Sequence, residues 1–265
     1  MPPLLIVDLY PSLLQPEGDG GNARWLAYRA RGLGWAAQTL TLHPGQDVPP
    51  ADVFMLGGSA DADLPRCAQT LRRSGVLAAA VERGAAVVGV GAGFSLLAQS
   101  FVDAGGQHHE GTGLIDVTMT RGELAAGPVV TRPNAALGLP ALSGYEFHTG
   151  RARLGPGVAS FAAVDVGVGN GADAGGPEGG PERGLEGGTE GAVVGRVLGT
   201  WLHGPLLPRN PEVADLILSW VLPECADQER RPGLNPGLNG GLDPELERLV
   251  RSIRARRVTE ARLAS

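Results

Sequence analysis

The chain has 265 residues, of which 43% are hydrophobic, and a formal net charge of −6, so it can bury a sizeable core and is poorly suited to binding nucleic acid as its main task. All 22 basic residues are arginines, which excludes a Walker-type phosphate loop and Schiff-base catalysis because both need a lysine. Its two cysteines form no disulfide framework, no apolar run reaches the length of a membrane span, and the first residues do not begin a signal peptide. We therefore expect a cytoplasmic protein with no membrane insertion.

Strands and helices are predicted to alternate through the first hundred residues. The predicted strands are 4–9, 38–42, 52–56 and the valine-rich run that ends at Val90, and the predicted helices are 22–31, 64–73 and 76–83. Asn22 follows Asp19-Gly20-Gly21 and is expected to cap the first of these helices. This alternation indicates a doubly wound, mainly parallel α/β sheet with flanking helices.

The turn at Gly91 joins the fourth predicted strand to a helix with Phe94, Leu97 and Phe101 on one face. A strand, a tight turn and a helix form a nucleophile elbow, which lifts one side chain above the sheet beside a helix N-terminus. Gly91 occupies the position from which the reactive side chain would project. The pattern therefore predicts a catalytic site that lacks its reactive atom.

The second half of the chain lacks this regular alternation of strands and helices. It predicts short antiparallel strands at 114–118, 128–131 and 144–148, a late strand at 193–202 and a helix at 212–220. Residues 169–191 are rich in glycine and are expected to form a mobile loop, and residues 223–243 contain Pro-Gly-Leu-Asn twice and are expected to form a linker.

Residues 244–265 are predicted to form a basic amphipathic C-terminal helix. The apolar side would carry Leu246, Leu249, Val250 and Ile253, and the other face Arg248, Arg251, Arg254 and Arg257. A solvated tail helix and a helix that docks a partner are both consistent with this pattern.

Three features are expected to meet at the carboxyl edge of the sheet, where ligands bind in such folds. Gly57 and Gly58 follow a strand and can aim backbone N–H groups at an oxyanion, and Ala92 offers a second donor. His203 closes the late strand, where a general base would have to stand. Each feature alone is weak evidence, but their combination in this order is much more specific.

Other reactive side chains are predicted not to replace the missing nucleophile. Cys67 lies in a helix, Cys225 in the linker, Ser59 has no evident base, and Ser95 is expected to point away from the elbow. The neighbours His108, His109 and Glu110 are interpreted as a polar loop, since adjacent side chains of an extended segment point to opposite sides, so no metal site is expected.

In these features the chain resembles the class I glutamine amidotransferases of the CobB/CobQ-like branch, and within that branch the GatD type of glutaminase subunit. The matching stretches are 19–22, 54–61, the elbow, 144–148 and 198–210. The resemblance implies a flavodoxin-like three-layer amidotransferase domain over residues 1–222, without a cofactor.

In that family a cysteine at the position of Gly91 attacks the side-chain amide of glutamine, and a histidine at the position of His203 acts as the base. The oxyanion is held by N–H groups that correspond to Gly58 and Ala92. The family elbow reads Cys-Gly-Gly-Tyr-Gln, whereas this chain reads Gly-Ala-Gly-Phe-Ser, so a pseudoenzyme with impaired glutamine hydrolysis is expected. No arginine of this chain matches the substrate-binding arginine of GatD subunits, because residues 120–124 align poorly there, and Arg121 is the candidate stand-in.

The resemblance also implies a partner, a MurT-like ATP-dependent Mur ligase. The pair would convert the D-glutamate of the peptidoglycan stem on lipid II to D-isoglutamine, with glutamine as the ligand of this chain. Two alternatives stay open: a non-catalytic binding or scaffold protein with the same fold, and an amidotransferase-like subunit for another carboxylate such as a corrinoid.

Overall fold

A computed structural model describes residues 2–14, 19–58, 63–171, 188–222 and 244–264 of the chain. The strands are β1 (Leu4–Leu9), β2 (Ala37–Leu42), β3 (Val53–Leu56), β4 (Ala86–Val90), β5 (Ser100–Val102), β6 (His108–Glu110), β7 (Val117–Thr131), β8 (Ser143–Leu154), β9 (Ala162–Val166), β10 (Thr189–Glu190), β11 (Ala192–Val194) and β12 (Val197–Thr200). The helices are α1 (Pro11–Leu14), α2 (Gly21–Gly32), α3 (Leu64–Ser74), α4 (Val76–Glu82), α5 (Ala92–Leu97), α6 (Leu206–Arg209), α7 (Pro211–Val221) and α8 (Pro244–Ala264). None of the described helices is both long and apolar enough to cross a membrane.

The central sheet has the order β2-β1-β3-β4-β12-β11, and all its neighbours are parallel except β11, which pairs antiparallel with β12. Its middle strands are buried on both faces, and alternate side chains enter different cores. In β3, Phe54 and Leu56 join the core formed with α3, α4 and α5, whereas Val53 and Met55 join the core formed with α2 and α7. Helices therefore cover both faces, and the predicted doubly wound, flavodoxin-like fold is confirmed.

The second sheet, of order β10-β9-β7-β5-β6 with β8 paired to β7, corrects three strand predictions. A single 15-residue strand, β7, replaces the short strands predicted at 114–118 and 128–131, because antiparallel pairing with β8 carries it past Gly122 and Gly127. The predicted strand 144–148 is extended to Leu154 for the same reason.

Three local predictions are wrong. The late strand 193–202 is a hairpin of β11 and β12, since Gly195 turns the chain at φ 55°. Phe101 belongs to β5 because α5 ends at Leu97. Gly20 rather than Asn22 caps α2, since the buried Asn22 side chain accepts a hydrogen bond from the Leu207 N–H at 2.9 Å.

Helix α8 is docked on the body, and its predicted division into faces is only partly correct. Val258 and Ala261 are buried against Val130, whereas Leu249, predicted for the apolar side, is 53% exposed. Arg254, predicted for the outer face, makes a bidentate ion pair with Glu212 on α7. The predicted linker 223–243, with Cys225, and residues 172–187 of the predicted mobile loop lie outside the described residues.

Candidate active site

Four connections that follow parallel strands meet at the carboxyl edge of the central sheet. The connections after β1, β3, β4 and β12 supply Asp19, Gly58, Gly91 and His203 respectively. The residues predicted to converge on one crevice, Gly58, Gly91 and His203, are thus brought together. In the sequence Asp19 belongs to the motif that opens the first helix, and no local pattern there predicts its place beside His203.

The elbow at Gly91 has a backbone that L-residues rarely adopt. Its φ is 57° and its ψ is −116°, and its N–H donates to the carbonyl oxygen of Thr200 at 2.8 Å. Helix α5 begins at Ala92, and the N–H of Gly93 donates to the Gly57 carbonyl at 3.0 Å. A β-carbon at Gly93 would overlap the carbonyl oxygen of Leu56, so the helix can start this close to β3 only with glycine there.

His203 and Asp19 form a buried pair beside the elbow. Nδ1 of His203 lies 3.1 Å from Oδ2 of Asp19, and the exposed fractions of the two side chains are 6% and 0%. Because a carboxylate can only accept a hydrogen bond, Nδ1 of His203 carries a hydrogen and donates a hydrogen bond to Asp19. This leaves Nε2 as the basic nitrogen. This is the arrangement in which a carboxylate orients a catalytic base.

The basic edge of His203 faces Gly91 directly. A β-carbon built on Gly91 would lie 2.5 Å from Nε2 of His203 and closer still to its Cε1. The ring therefore occupies the volume that a side chain at position 91 would need. A nucleophile at this position would have His203 as its neighbour, but only after the ring moved.

The predicted oxyanion donors lie around the same point. The N–H of Gly58 already donates to Oδ2 of Asp19 at 3.0 Å, so it can serve an oxyanion only if Asp19 releases it. Ala92 is the first residue of α5, where an N–H has no partner within the helix, and Gly57 holds the elbow through its carbonyl.

A small cavity of about 60 Å³ opens at this point. Gly91, Ala92 and His203 line it on one side, and Arg121 and Phe147 from the second sheet line it on the other. Arg121 thus lies where a stand-in for the substrate-binding arginine could reach the cavity, and Ser95 also lines the cavity.

The wall behind the cavity is a buried polar network. The rings of His148 and Trp201 stack with centroids 4.1 Å apart, and Nε2 of His148 lies 3.4 Å from Oε2 of Glu146. Burial raises the pKa of Glu146, but the adjacent His148 ring and the hydrogen bonds from the N–H groups of Gly169 and Val168 outweigh it, and the net pKa is lowered.

A second carboxyl, Glu190, is completely buried behind Trp201. The hydroxyl of Thr200 and the N–H of Trp201 donate to its Oε1, and its Oε2 has no hydrogen-bond partner. Burial raises the pKa of Glu190 to about 7, against the effect of these hydrogen bonds. Trp201 is held from its other end, because its indole N–H donates to Asn170 at 3.1 Å.

The described residues offer neither a substitute thiol at the elbow nor a metal centre. Cys67 is buried in α3, and burial, followed by the charge of Asp63, raises the pKa of its thiol to about 11. No group of three or more metal-ligating side chains occurs in the described ranges, and His109 instead pairs with Asp103 at 2.7 Å. Ser59 and Cys225 lie outside these ranges.

Comparisons with known proteins agree with this geometry. Residues 29–211 match the CobB/CobQ-like glutamine amidotransferase domain. Two curated relatives are GatD subunits of lipid II isoglutaminyl synthase (glutamine-hydrolyzing). The Streptococcus pneumoniae subunit is 26% identical over 225 residues, covering 83% of this chain and 80% of that subunit. The Staphylococcus aureus subunit is 25% identical over 219 residues, covering 81% and 83%.

A solved structure of PurLQS from Thermotoga maritima has the same fold. It is 15% identical, covers 83% of this chain and 99% of that chain, and superposes with a TM-score of 0.51.

Proposed function

The chain belongs to the CobB/CobQ-like glutamine amidotransferase family, and from this premise we propose that it is a GatD-like subunit of a complex that amidates lipid II and that it has lost its own glutamine hydrolysis. Two GatD subunits at about 25% identity over most of the chain support the choice of complex. The partner would be a MurT-like ligase that activates the carboxylate with ATP, since this chain has no lysine for a Walker-type phosphate loop.

One observation carries the loss of hydrolysis: the elbow is intact, but Gly91 stands at its apex. Hydrolysis through a thioester needs a thiolate at this apex, with His203 to take up the thiol proton. Removal of the nucleophile of a catalytic triad lowers kcat on the order of a millionfold in a well-studied protease. The pair of His203 and Asp19 could still bind or orient a ligand.

The proposal is tested on the reconstituted complex with a Mur-type ligase. Amidation of lipid II is measured with glutamine or with ammonium as the nitrogen source, and glutamate release is followed in parallel. We expect amidation with ammonium and none with glutamine. Glutamine-dependent turnover that is abolished by His203→Ala would contradict the loss of hydrolysis, and failure with both nitrogen sources would contradict the assignment to this complex.

The variant Gly91→Cys tests whether the thiol is the only part of the active site that is missing. It restores the thiol, but the new β-carbon collides with His203, so we expect a folded protein that recovers little glutaminase activity. Turnover at the level of an intact amidotransferase would show that only the thiol is missing. Mass spectrometry after treatment with a glutamine-analogue electrophile reports whether the installed thiol reacts.

A non-catalytic binding protein is the second candidate. The observation that favours it is the retention of a buried, oriented His203–Asp19 pair and a lined cavity at an elbow without a nucleophile. Calorimetric titration with glutamine, together with the amidation assay, distinguishes the binding protein from the amidotransferase subunit. Saturable glutamine binding that His203→Ala weakens, with no effect of the chain on ligase activity, would favour the binding protein.

A further inference from the structure

A second group of polar side chains surrounds two cavities between α8 and the body of the protein. The cavities have volumes of about 340 and 210 Å³, and Ser143, Arg209 and Arg257 line both of them. Arg209 comes from α6 and Arg257 from α8, so the helix junction brings two guanidinium groups to one place. We call this region the anion groove.

The two arginines repel each other across the groove. Burial, followed by the positive charge of Arg257, lowers the pKa of Arg209. Arg209 is held in place because its Nε donates to the carbonyl oxygen of Gly204, one residue beyond His203. Such an arrangement of like charges is stabilised when an anion binds between them.

Within the described part of the chain, no carboxylate is within ion-pair distance of Arg209 or Arg257. The carboxylates nearby are engaged elsewhere: Glu212 pairs with Arg254, and Glu260, which lines the larger cavity, lies 3.8 Å from Arg256 on the outer side of α8.

A third donor, the hydroxyl of Ser143, is unused. Ser143 is only 3% exposed, and its Oγ has no hydrogen-bond partner. Its backbone is fixed by two hydrogen bonds of 3.0 Å with the side chain of Asn210. A buried hydroxyl without a partner is unfavourable, and a ligand oxygen in the groove would supply the missing acceptor.

Apart from Glu260, the rest of the larger cavity is lined mainly by apolar residues. Those that are exposed are Pro128 from β7, Tyr145 from β8 and Ala264 from α8, whereas Val129 and Val130 are already buried. A fully hydrated inorganic ion would leave this surface uncovered, whereas a ligand with a short hydrocarbon part would cover it.

We propose that the anion groove binds a small amphipathic anion, whose carboxylate or phosphate oxygens accept hydrogen bonds from Arg209, Arg257 and Ser143 and whose apolar part packs against Pro128, Tyr145 and Ala264. The groove uses none of the residues of the candidate active site, so the inference is independent of the proposed function.

The test is calorimetric titration of the full chain with three probes: inorganic phosphate, hexyl phosphate and hexanoate. Saturable binding is expected for at least one hexyl probe, at least about tenfold tighter than inorganic phosphate. Arg257→Gln should weaken that binding about tenfold or more, since hydrogen bonds to charged groups contribute about 1.5–3 kcal/mol each. Ser143→Ala should weaken it less.

The matched control is Arg256→Gln, one residue away on the same helix but with a side chain that is 71% exposed. It removes the same charge and should change the affinity by less than twofold. Circular dichroism confirms that the variants are folded. Equal weakening by both arginine variants, equal affinity for inorganic phosphate, or no saturable binding of either hexyl probe would each overturn the proposal.

Discussion

At the scale of single residues, Gly91 combines a positive φ with a steric conflict at the candidate active site. Gly75, at φ 61°, faces open space, whereas a β-carbon on Gly91 would meet the His203 ring. That ring is fixed by its hydrogen bond to Asp19 at 3.1 Å. Position 91 should therefore tolerate a side chain worse than its backbone angle alone predicts.

We expect Gly91→Ala to lower the free energy of unfolding by about 1–2 kcal/mol more than Gly75→Ala does. Gly75 lies in the left-handed helical region with ψ 8°, whereas Gly91 has ψ −116°, which is more costly for an L-residue, and only Gly91→Ala also displaces His203. Urea unfolding at neutral pH measures both losses. Equal losses of stability would mean that the His203 ring can move aside without an energetic penalty. In that case Gly91→Cys would be expected to hydrolyse glutamine.

Glu190 makes stability depend on pH. Below about pH 4.5 its carboxyl is protonated in the folded and unfolded chains alike, and burial of the neutral form is cheap. Since burial raises its pKa to about 7 in the folded chain, only the unfolded chain releases the proton between these two values. The contribution of Glu190 to the free energy of unfolding therefore falls as the pH rises through this window.

The variant Glu190→Gln removes this titration but keeps an acceptor for Thr200 and Trp201. Its stability relative to the wild type should rise by about 2–3 kcal/mol between pH 4.5 and pH 7.5. Urea unfolding at the two pH values measures the change. The exposed Glu123→Gln is the control and should show a difference under about 0.5 kcal/mol. If the stability difference between Glu190→Gln and the wild type does not change with pH, the pKa of Glu190 in the folded chain lies near its ordinary value.

At the scale of elements, the order of strands and helices in the first hundred residues could be predicted because it follows from local periodicity. The wrong predictions concern residues whose role depends on a contact with a residue that is distant in the sequence. Asn22 has the right chemistry for a helix cap, but its side chain instead accepts a hydrogen bond from the N–H of Leu207, 185 positions away. The elbow and His203 could be placed at one edge from strand order, whereas the Asp19–His203 pair links positions 184 apart, which local patterns do not encode.

Helix α8 shows the same limit, since its arginines alternate between the body and solvent. Arg254 is 11% exposed and pairs with Glu212, which is 20% exposed, whereas Arg256 is 71% exposed. Because partly buried charge pairs are screened less than exposed ones, the Arg254–Glu212 pair should contribute most to docking of the helix among these arginines.

Arg254→Gln should therefore loosen α8 on the body. We expect amide hydrogen exchange in residues 244–264 to accelerate about tenfold, because Glu212 loses its bidentate partner while partly buried. Exchange is followed by mass spectrometry, with Arg256→Gln as the control that leaves the rate within about twofold. A similar acceleration in both variants would mean that the buried Arg254–Glu212 pair is no more important than an exposed one, and no acceleration would mean that other contacts, among them the Arg29–Glu247 ion pair, hold the helix.

At the scale of the whole molecule, the most exposed apolar surface near the candidate active site is a strip on the second sheet. Cross-strand register places Ala126 opposite Phe147 and Pro128 opposite Tyr145, and Leu124 lies two positions before Ala126 on the same strand. Leu124, Tyr145 and Phe147 are 57%, 43% and 51% exposed. Phe147 also lines the active-site cavity, so the strip begins at its mouth.

This strip is where we expect the ligase partner to bind. A standard interface buries about 1,600 Å² in total, more than the outer face of α8 supplies, so the sheet and the cavity mouth should dominate. Aromatic side chains near an interface centre carry much of its binding energy. Phe147→Asp should therefore weaken the complex about tenfold or more, measured by size-exclusion chromatography and titration of co-expressed proteins.

Leu249→Asp provides the matched control, since Leu249 is 53% exposed on α8, close to the 51% of Phe147. It introduces the same charge at an equally exposed apolar position, and we expect it to weaken the complex by less than about threefold. Stronger weakening by Leu249→Asp would move the interface to α8. A chain that elutes alone beside a ligase that is fully active without it would rule out the heteromeric complex, because a subunit with no nucleophile at its elbow would then have neither a reaction nor a partner to support.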